Sequence, residues 1–290
     1  MYLQGRAVFD SRQRAFHGIC RGLIVIHSTW QTIREETAVQ AAQEPILASY
    51  LHATILNHNT PMAALSYLLA TKLDSATASS LLIREVIEEA FAADESIVES
   101  AVADLHATMA RDSACQQLSV PFLYYKGFHA LQAFRVAHWL WQSDRKAFAL
   151  FLQNRISVVF SVDIHPAAQI GKGIMLDHAT GIVIGETAVV EDDVSIMQSV
   201  TLGGTGKTSG DRHPKIRRRV LLGAGAKILG NIEIGEGALV GASSVVLKPV
   251  APHRVVAGVP AIDLGEANAD NPAEAMCHLL QCKQSKLGVG

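Results

Sequence analysis

From about Val162 onward the chain repeats every six residues, and no other feature restricts its fold as strongly. Hexapeptides begin at Ile170-Gly171, Leu176-Asp177, Ile184-Gly185, Val190-Glu191 and Ile196-Met197. They begin again at Leu222-Gly223, Ile228-Leu229, Ile234-Gly235, Val240-Gly241 and Val246-Leu247. The fifth position of most units is small or β-branched, as at Ala188, Val194, Val200, Ala226, Ala238, Ser244 and Val250. An aliphatic, often a glycine after it, and a small fifth residue mark a parallel β-helix, in which roughly three hexapeptides close one coil. The aliphatic points into a narrow prism and the small residue fits beside it. An α-helical reading fails, because glycine recurs through the repeats and weakens helices.

The repeat breaks twice. Two extra residues separate the units that start at Leu176 and Ile184. A longer polar, basic, glycine-rich stretch, "GGTGKTSGDRHPKIRRR", lies between Leu202 and Leu222 and is expected to leave the prism as a loop. Loops carried by a rigid scaffold are where function concentrates.

Ahead of the repeats the period is helical. From about Trp30 to Leu152, apolar residues recur at three- and four-residue intervals, as in "SSLLIREVIEEAFAADESIVESAVADLHATMARD". In "YYKGFHALQAFRVAHWLW", Phe128, Leu131, Phe134 and Val136 form the expected buried stripe, with His129 and His138 as packed or capping histidines. Breakers fall at Pro61, Asp94, Asp112 to Pro121 and Gly127. The expected fold class is therefore α+β, an N-terminal helical bundle followed by a left-handed parallel β-helix of hexapeptide repeats with an extruded loop. The expected segments are 1–28, an extension of unassigned role; 29–155, helical; 156–262, β-helix; and 263–290, a flexible tail. The composition of "GEANADNPAEA" after Pro260 argues for disorder in the free protein.

Composition narrows the function classes. A net charge of −2 over 290 residues gives no reason to expect nucleic acid or an anionic membrane as partner. No stretch is long and apolar enough to span a bilayer. "GICRGLIVIH" is broken by Arg21 and lacks a cleavage site, so it is not expected to be a signal peptide. Cys20, Cys115, Cys277 and Cys282 are scattered, which suits free thiols in a reducing cytoplasm. Cys277 and Cys282 are expected to be ordinary thiols.

Polar residues stand out against the repeats. Asp163 and His178 are fifteen residues apart, almost one coil, and can lie near each other around a shared corner. A carboxylate beside an imidazole is what a general base needs. Spacing alone equally allows a surface histidine with a solvated acid. Arg212 and His213 in the extruded loop can hold a carboxylate, or belong to a solvated basic loop. Lys207 and the run Arg217 to Arg219 are expected to be mostly solvated. His165, His178 and His213 raise the question of a metal, but their spacing does not suit a compact site, and none is expected.

The stretch "VDIHPAAQIGKGIMLDHATGIVIGETAVVEDDVSIMQSVTLGGTGKTSGDRHPKI" resembles the core of bacterial serine O-acetyltransferases. "REVIEEAFAADESI" and "PFLYYKGFHALQAFRVAHWLW" resemble their helical N-terminal domain. The resemblance runs from roughly Trp30 to Pro260, and "DHATG", "GGTGK" and "DRHPKI" together make it specific. It implies acetyl transfer from acetyl-CoA to L-serine, the first step of cysteine biosynthesis, with acetyl-CoA as co-substrate and no resident cofactor. It implies His178 as general base with Asp163 as its orienting partner. Arg212 and His213 would receive the serine carboxylate, and Asp112 and Asp177 its ammonium. Gly203, Gly204, Ala224 and Ala242 would line the acetyl-CoA groove. It implies L-cysteine as feedback inhibitor at the serine site, and a homohexamer made of two trimers with sites between neighbouring prisms. Two departures accompany it. Residues 1–28 extend beyond the usual start. The chain ends in Gly290 where the family often has the isoleucine that docks into O-acetylserine sulfhydrylase, so that complex is expected to be weak or absent.

Overall fold

The computed structural model describes residues 24–206 and 209–280. Most of the 1–28 extension, Cys20, Lys207, Cys282 and the Gly290 terminus lie outside the described residues. The rest divides into two compact units, before and after the Leu65–Ser66 bond. In the first, helix α1 covers residues 24–43, followed by a 3₁₀ turn at Pro45–Leu47, α2 at Ala48–Leu51 and a π turn at His52–Leu56. Trp30, Ile33, Leu51 and Ile55 are buried. Helix α3, Pro61–Leu73, crosses the division.

The second unit continues with α4 (Ser80–Ala93), α5 (Ser96–Arg111), α6 (Ser119–Tyr124), α7 (Lys126–Gln142) and α8 (Lys146–Phe160). Helix α4 buries Ile83, Val86, Ile87, Ala90 and Phe91, the stripe its helical period demands. Helix α7 is buried on every side from Gly127 to Ala137, so it is the central helix. Phe128, Leu131, Phe134 and Val136 are buried as expected. His138 Nδ1 donates to Pro166 O at 2.7 Å, and His129 Nε2 donates to Phe122 O at 2.8 Å. The expected boundary at 155/156 falls inside α8, which runs to Phe160 and ends on a left-handed Ser161 (φ 58°).

Burial pulls the His129 imidazole down to about 3. Its unfolded value is near 6.5, so between those pH values the unfolded chain binds the extra proton and folding excludes it. The contribution of neutral His129 is therefore complete above about pH 6.5 and is lost as pH falls. Stability from this group should drop by up to about 1.4 kcal/mol per pH unit in that window. Urea unfolding at several pH values should show this slope flattened in His129→Gln; an unaltered slope would remove His129 as its source.

The β-helix has three faces. The first carries β1 (Val162–Ile164), β4 (Ile182–Ile184), β7 (Thr201–Gly203), β10 (Lys227–Leu229) and β13 (Val245–Val246). The second carries β2 (Gln169–Ile170), β5 (Val189–Val190), β8 (Lys215–Ile216) and β11 (Glu233–Ile234). The third carries β3 (Met175–Leu176), β6 (Ser195–Ile196), β9 (Leu221–Leu222), β12 (Leu239–Val240), β14 (Arg254–Gly258) and β15 (Ala261–Glu266). Neighbours pair in parallel except β15, which returns antiparallel to β14. The repeat aliphatics Ile184, Val190, Ile196, Leu222, Ile228, Ile234 and Val240 fill the prism, with Ala188, Val194, Val200, Ala226 and Ala238 beside them.

Two expectations are corrected. The extrusion is shorter than the sequence suggested, because Ile216 is fully buried as a repeat aliphatic in β8. Residues 263–280 are also not a flexible tail. Strand β15 pairs with β14, Ala267 packs with Leu221, Leu239 and Val255, and a turn of helix, α9 (Pro272–Ala275), follows. Asn271 accepts from Glu274 N, and Ser195 Oγ donates to Ala273 O at 2.8 Å. Small alanines that a composition-based reading discounts are what fits this shallow surface.

Side chains of the helices bind the first coil. Arg135 and Asp104 form a buried ion pair at 2.6 Å. Arg135 also donates to Gly171 O at 2.8 Å, and Asp104 accepts from Ile174 N at 2.8 Å. Arg111 donates to Gly173 O at 2.8 Å. Among the described residues no helix is long and apolar enough to cross a membrane.

Candidate active site

The two residues that interrupt the repeat after β3 form a bulged corner. His178 and Ala179 both take left-handed backbone angles (φ 54° and 60°), a conformation that costs about 1–2 kcal/mol per L-residue. Hydrogen bonds over-determine it: Asp177 N donates to Ile196 O at 2.9 Å and Thr180 N to His178 O at 2.8 Å. Ala179 is buried, while the His178 side chain is 73% exposed. The start of α7 presses on this corner. A Cβ on Gly127 would lie 2.2 Å from Leu176 O, so only glycine lets the helix come this close. Lys126 Nζ donates to Thr180 Oγ1 at 2.5 Å.

The end of α5 arrives at the same place. Arg111 is tied to the coil through Gly173, and the next residue, Asp112, leaves the helix in an extended conformation. Its Oδ1 accepts from Ala114 N at 2.9 Å and its Oδ2 from Tyr125 Oη at 2.8 Å. Asp112, Tyr125, Lys126, Asp177 and His178 line a cavity of about 520 Å³. Two carboxylates and an exposed imidazole thus face one space, supplied by two separate segments, with Tyr125 and Lys126 from a third.

Arg212 and His213 lie elsewhere, where the extruded loop rejoins the prism. Thr187 Oγ1 accepts from the backbone N–H of both residues, at 3.0 and 3.1 Å. Thr187 N donates to His213 Nδ1 at 3.1 Å, so the neutral ring keeps its proton on Nε2. Burial, with the Arg212 charge second, lowers the His213 pKa. The ring lies against Gly185, where a Cβ would be 2.1 Å from ring atoms. Arg212 pairs with Glu186 at 2.7 Å. Burial, aided by the Arg212 charge, holds His165 below its ordinary value against the opposing pull of the Glu186 and Asp163 carboxylates.

Asp163 lies on the side of this second cluster, near enough to act on His165 as Glu186 and Arg212 do. Its Oδ1 accepts from Gln153 Nε2 at 2.7 Å. Among the described residues no hydrogen bond or ion pair joins Asp163 to His178, and the nearest carboxylate partner recorded for His178 is Asp177 at 3.8 Å. The pairing expected from spacing is therefore not made within one chain. Strand register gives the reason: Val162 lies opposite Ile182, so Asp163 sits beside Val183, past the corner that carries His178.

Strand register places the remaining residues. Leu176, Ile196, Leu222 and Val240 are stacked partners, so His178, Gln198, Ala224 and Ala242 follow one corner of the prism from coil to coil. Gly203 and Gly204 fall on the other side, where a Cβ on Gly204 would lie 3.5 Å from the Arg212 side chain. The sequence reading missed Tyr125, hidden in an aromatic helical run, and Thr187 and Glu186, which read as ordinary repeat positions. Among the described residues no three His, Cys, Asp or Glu side chains cluster as a metal set.

Residues 29–133 match the family model for the serine acetyltransferase N-terminal region, and residues 213–248 match the bacterial transferase hexapeptide model of six repeats. The serine acetyltransferase of Salmonella typhimurium is 62% identical over 247 residues, 85% of this chain and 90% of that protein. The crystal structure of serine acetyltransferase from Vibrio cholerae superposes with a TM-score of 0.86 at 62% identity, covering 87% of this chain and 97% of that one. A serine acetyltransferase in complex with cysteine superposes at 0.85 with 56% identity, covering 87% and 98%. Another, in complex with CoA, superposes at 0.80 with 56% identity, covering 82% and 100%. With that identity spread over nearly the whole length of its relatives, the chain belongs to the serine acetyltransferase family and is a serine O-acetyltransferase.

Proposed function

We propose that the two clusters are halves of one site, completed when copies of the chain stand side by side as a trimer of prisms. The observation that carries this is the division of labour. The space beside His178 offers carboxylates and a base, and the other cluster offers the Arg212 guanidinium, the His213 Nε2–H donor and the Asp163 carboxylate. L-Serine carries one ammonium, one carboxylate and one hydroxyl, so neither half can hold it alone. With the halves apposed, Asp112 and Asp177 of one copy hold the ammonium, and Arg212 and His213 of the next hold the carboxylate. Asp163 of that next copy then reaches His178 and orients its ring.

The reaction is direct acyl transfer. His178 takes the serine hydroxyl proton as the oxygen attacks the acetyl-CoA thioester carbon. Backbone N–H groups stabilise the resulting oxyanion. Collapse breaks the carbon–sulfur bond, and the leaving CoA thiolate takes the proton from His178. No resident cofactor and no side-chain nucleophile is needed. Acetyl-CoA lies along the corner that leads from Ala242 past Ala224 to His178, with Gly203 and Gly204 of the neighbour as its other wall. L-Cysteine shares serine's carboxylate and ammonium handles and inhibits by occupying the same half-sites, in keeping with the cysteine complex of the relative. Two trimers join into a hexamer, and the enzyme works in the cytoplasm.

CoA release measured with L-serine, L-threonine and a sugar acceptor tests the substrate. L-Serine should be far the best, with L-cysteine competing against it and Arg212→Ala weakening both. Preference for a sugar, or cysteine inhibition untouched by Arg212→Ala, would overturn the assignment.

A further inference from the structure

The cavity beside His178 contains a hydroxyl that the proposed reaction does not use. Tyr125 Oη donates to Asp112 Oδ2 at 2.8 Å, and Ala114 N holds the other oxygen at 2.9 Å. Asp112 caps the end of a helix: its backbone N–H still donates to Thr108 O at 2.9 Å, but its own backbone is already extended, so helical geometry does not fix where its carboxylate points. A short acidic side chain there has several rotamers, and only some aim it at the cavity. Two donors, one per oxygen, select a single plane for the carboxylate and leave each oxygen a second lone pair.

We propose that Tyr125 is a positioning residue for serine recognition, fixing the Asp112 carboxylate in the orientation that receives the substrate ammonium. The inference rests on the reading of Asp112 as an ammonium-holding group. Tyr125 is suited to constant donation. Burial first, then the hydrogen bond and charge of Asp112, hold its phenol well above the ordinary value near 10. It stays protonated across the working pH range, and its raised pKa makes it a poor proton donor to the reaction itself. Its place directly before Lys126 and Gly127, where α7 meets the β3 corner, fixes it relative to Asp177 and His178 as well.

The test is the kinetics of Tyr125→Phe with L-serine. Losing one hydrogen bond to a charged group should raise the serine KM about tenfold. The drop in kcat should be much smaller and the acetyl-CoA KM little altered, because ground-state and transition-state binding of the ammonium are lost together. 3-Hydroxypropanoate, which has serine's carboxylate and hydroxyl but no ammonium, should compete equally well against wild type and Tyr125→Phe. If its inhibition constant rises along with the serine KM, Tyr125 shapes the cavity rather than aiming Asp112, and the proposal is overturned.

Asp112→Asn separates the two levels. An unchanged serine KM there would sink the ammonium assignment itself. A raised KM in Asp112→Asn beside an unchanged one in Tyr125→Phe would overturn only the positioning role. Should Tyr125→Phe fail to fold, a fluorinated tyrosine introduced at 125 keeps the shape while ionising nearer neutrality. Asp112, Asp177 and Cys115 act on this phenol electrostatically, and Lys126 and His178 line the same cavity. Those groups are common to both enzymes, so the difference between the two pH profiles isolates residue 125. The serine KM should then climb with pH in the fluorinated enzyme relative to wild type, and superimposable profiles would overturn the proposal.

Discussion

His178→Ala should lower kcat by about 10²–10⁴-fold, the usual worth of a positioned general base, while leaving acetyl-CoA binding in place. The Arg212→Ala/His213→Ala double variant should be comparably inactive at moderate serine, for the different reason that the carboxylate has lost its partners. The decisive result comes from mixing them. In the half-site arrangement, a wild-type site forms wherever the His178 side of one parent meets the Arg212 side of the other. Random reassembly of the two inactive parents into trimers makes about one interface in four fully wild type, so activity should recover to about a quarter of normal. A site contained within one chain would recover nothing. CoA release before and after unfolding and co-refolding the parents measures this, and the absence of recovery from well-folded mixed trimers would refute the shared site.

The second large effect is expected at a residue with no side chain. Gly185 lies under the His213 ring so closely that a Cβ would stand 2.1 Å from Cδ2 and Nε2. Gly185→Ala must therefore move either the ring or the strand end beneath it. The strand end is held by the Gly185 N to Leu202 O hydrogen bond at 3.0 Å and by the buried Ile184 beside it. The ring is held mainly through Thr187, so the ring yields. If His213 holds the serine carboxylate as proposed, displacing it removes a hydrogen bond to a charged group, about 1.5–3 kcal/mol, and disturbs the adjacent Arg212. The kcat/KM for L-serine should fall by about 10–10²-fold. The thermal midpoint should fall only modestly, since the ring is displaced toward the loop rather than into the prism. Serine kinetics and thermal unfolding of the same sample check this. A kcat/KM near wild type would show that the ring is not held where the carboxylate binds.

These expectations also show where sequence reading succeeds and stops. The hexapeptide period placed Ile184, Val190 and Ile228 in the prism because one side-chain position per face must point inward. It passed over Ile216 because that residue is flanked by charges, from Lys215 to Arg219, whose side chains leave a two-residue strand without disturbing it. His178, Arg212 and His213 could be singled out as chemically apt, and the resemblance supplied their roles together with those of Asp112 and Asp177. Their grouping could not be read the same way. A spacing of fifteen residues says how far round a coil a residue lies, but only the strand register shows that Asp163 stands beside Val183, past the His178 corner. Tyr125 was illegible for another reason. Its partner, Asp112, is thirteen residues away across a helix break, and an aromatic at the head of an apolar helix reads as packing until its hydroxyl is seen.

The side chains that bind the first coil have a consequence for the whole stack. Strands β1, β2 and β3 each end a sheet, so on one side no further strand lies beside them. A parallel solenoid left in that condition offers a row of unpaired amides and carbonyls, an open template on which a second solenoid can add. Here the template is already occupied. Arg135 takes the carbonyl of Gly171, Arg111 that of Gly173, His138 that of Pro166, and Asp104 the amide of Ile174. The helices thus imitate a missing strand with side chains. They close the stack at its first rung and keep a repeat that could be extended indefinitely to a fixed height.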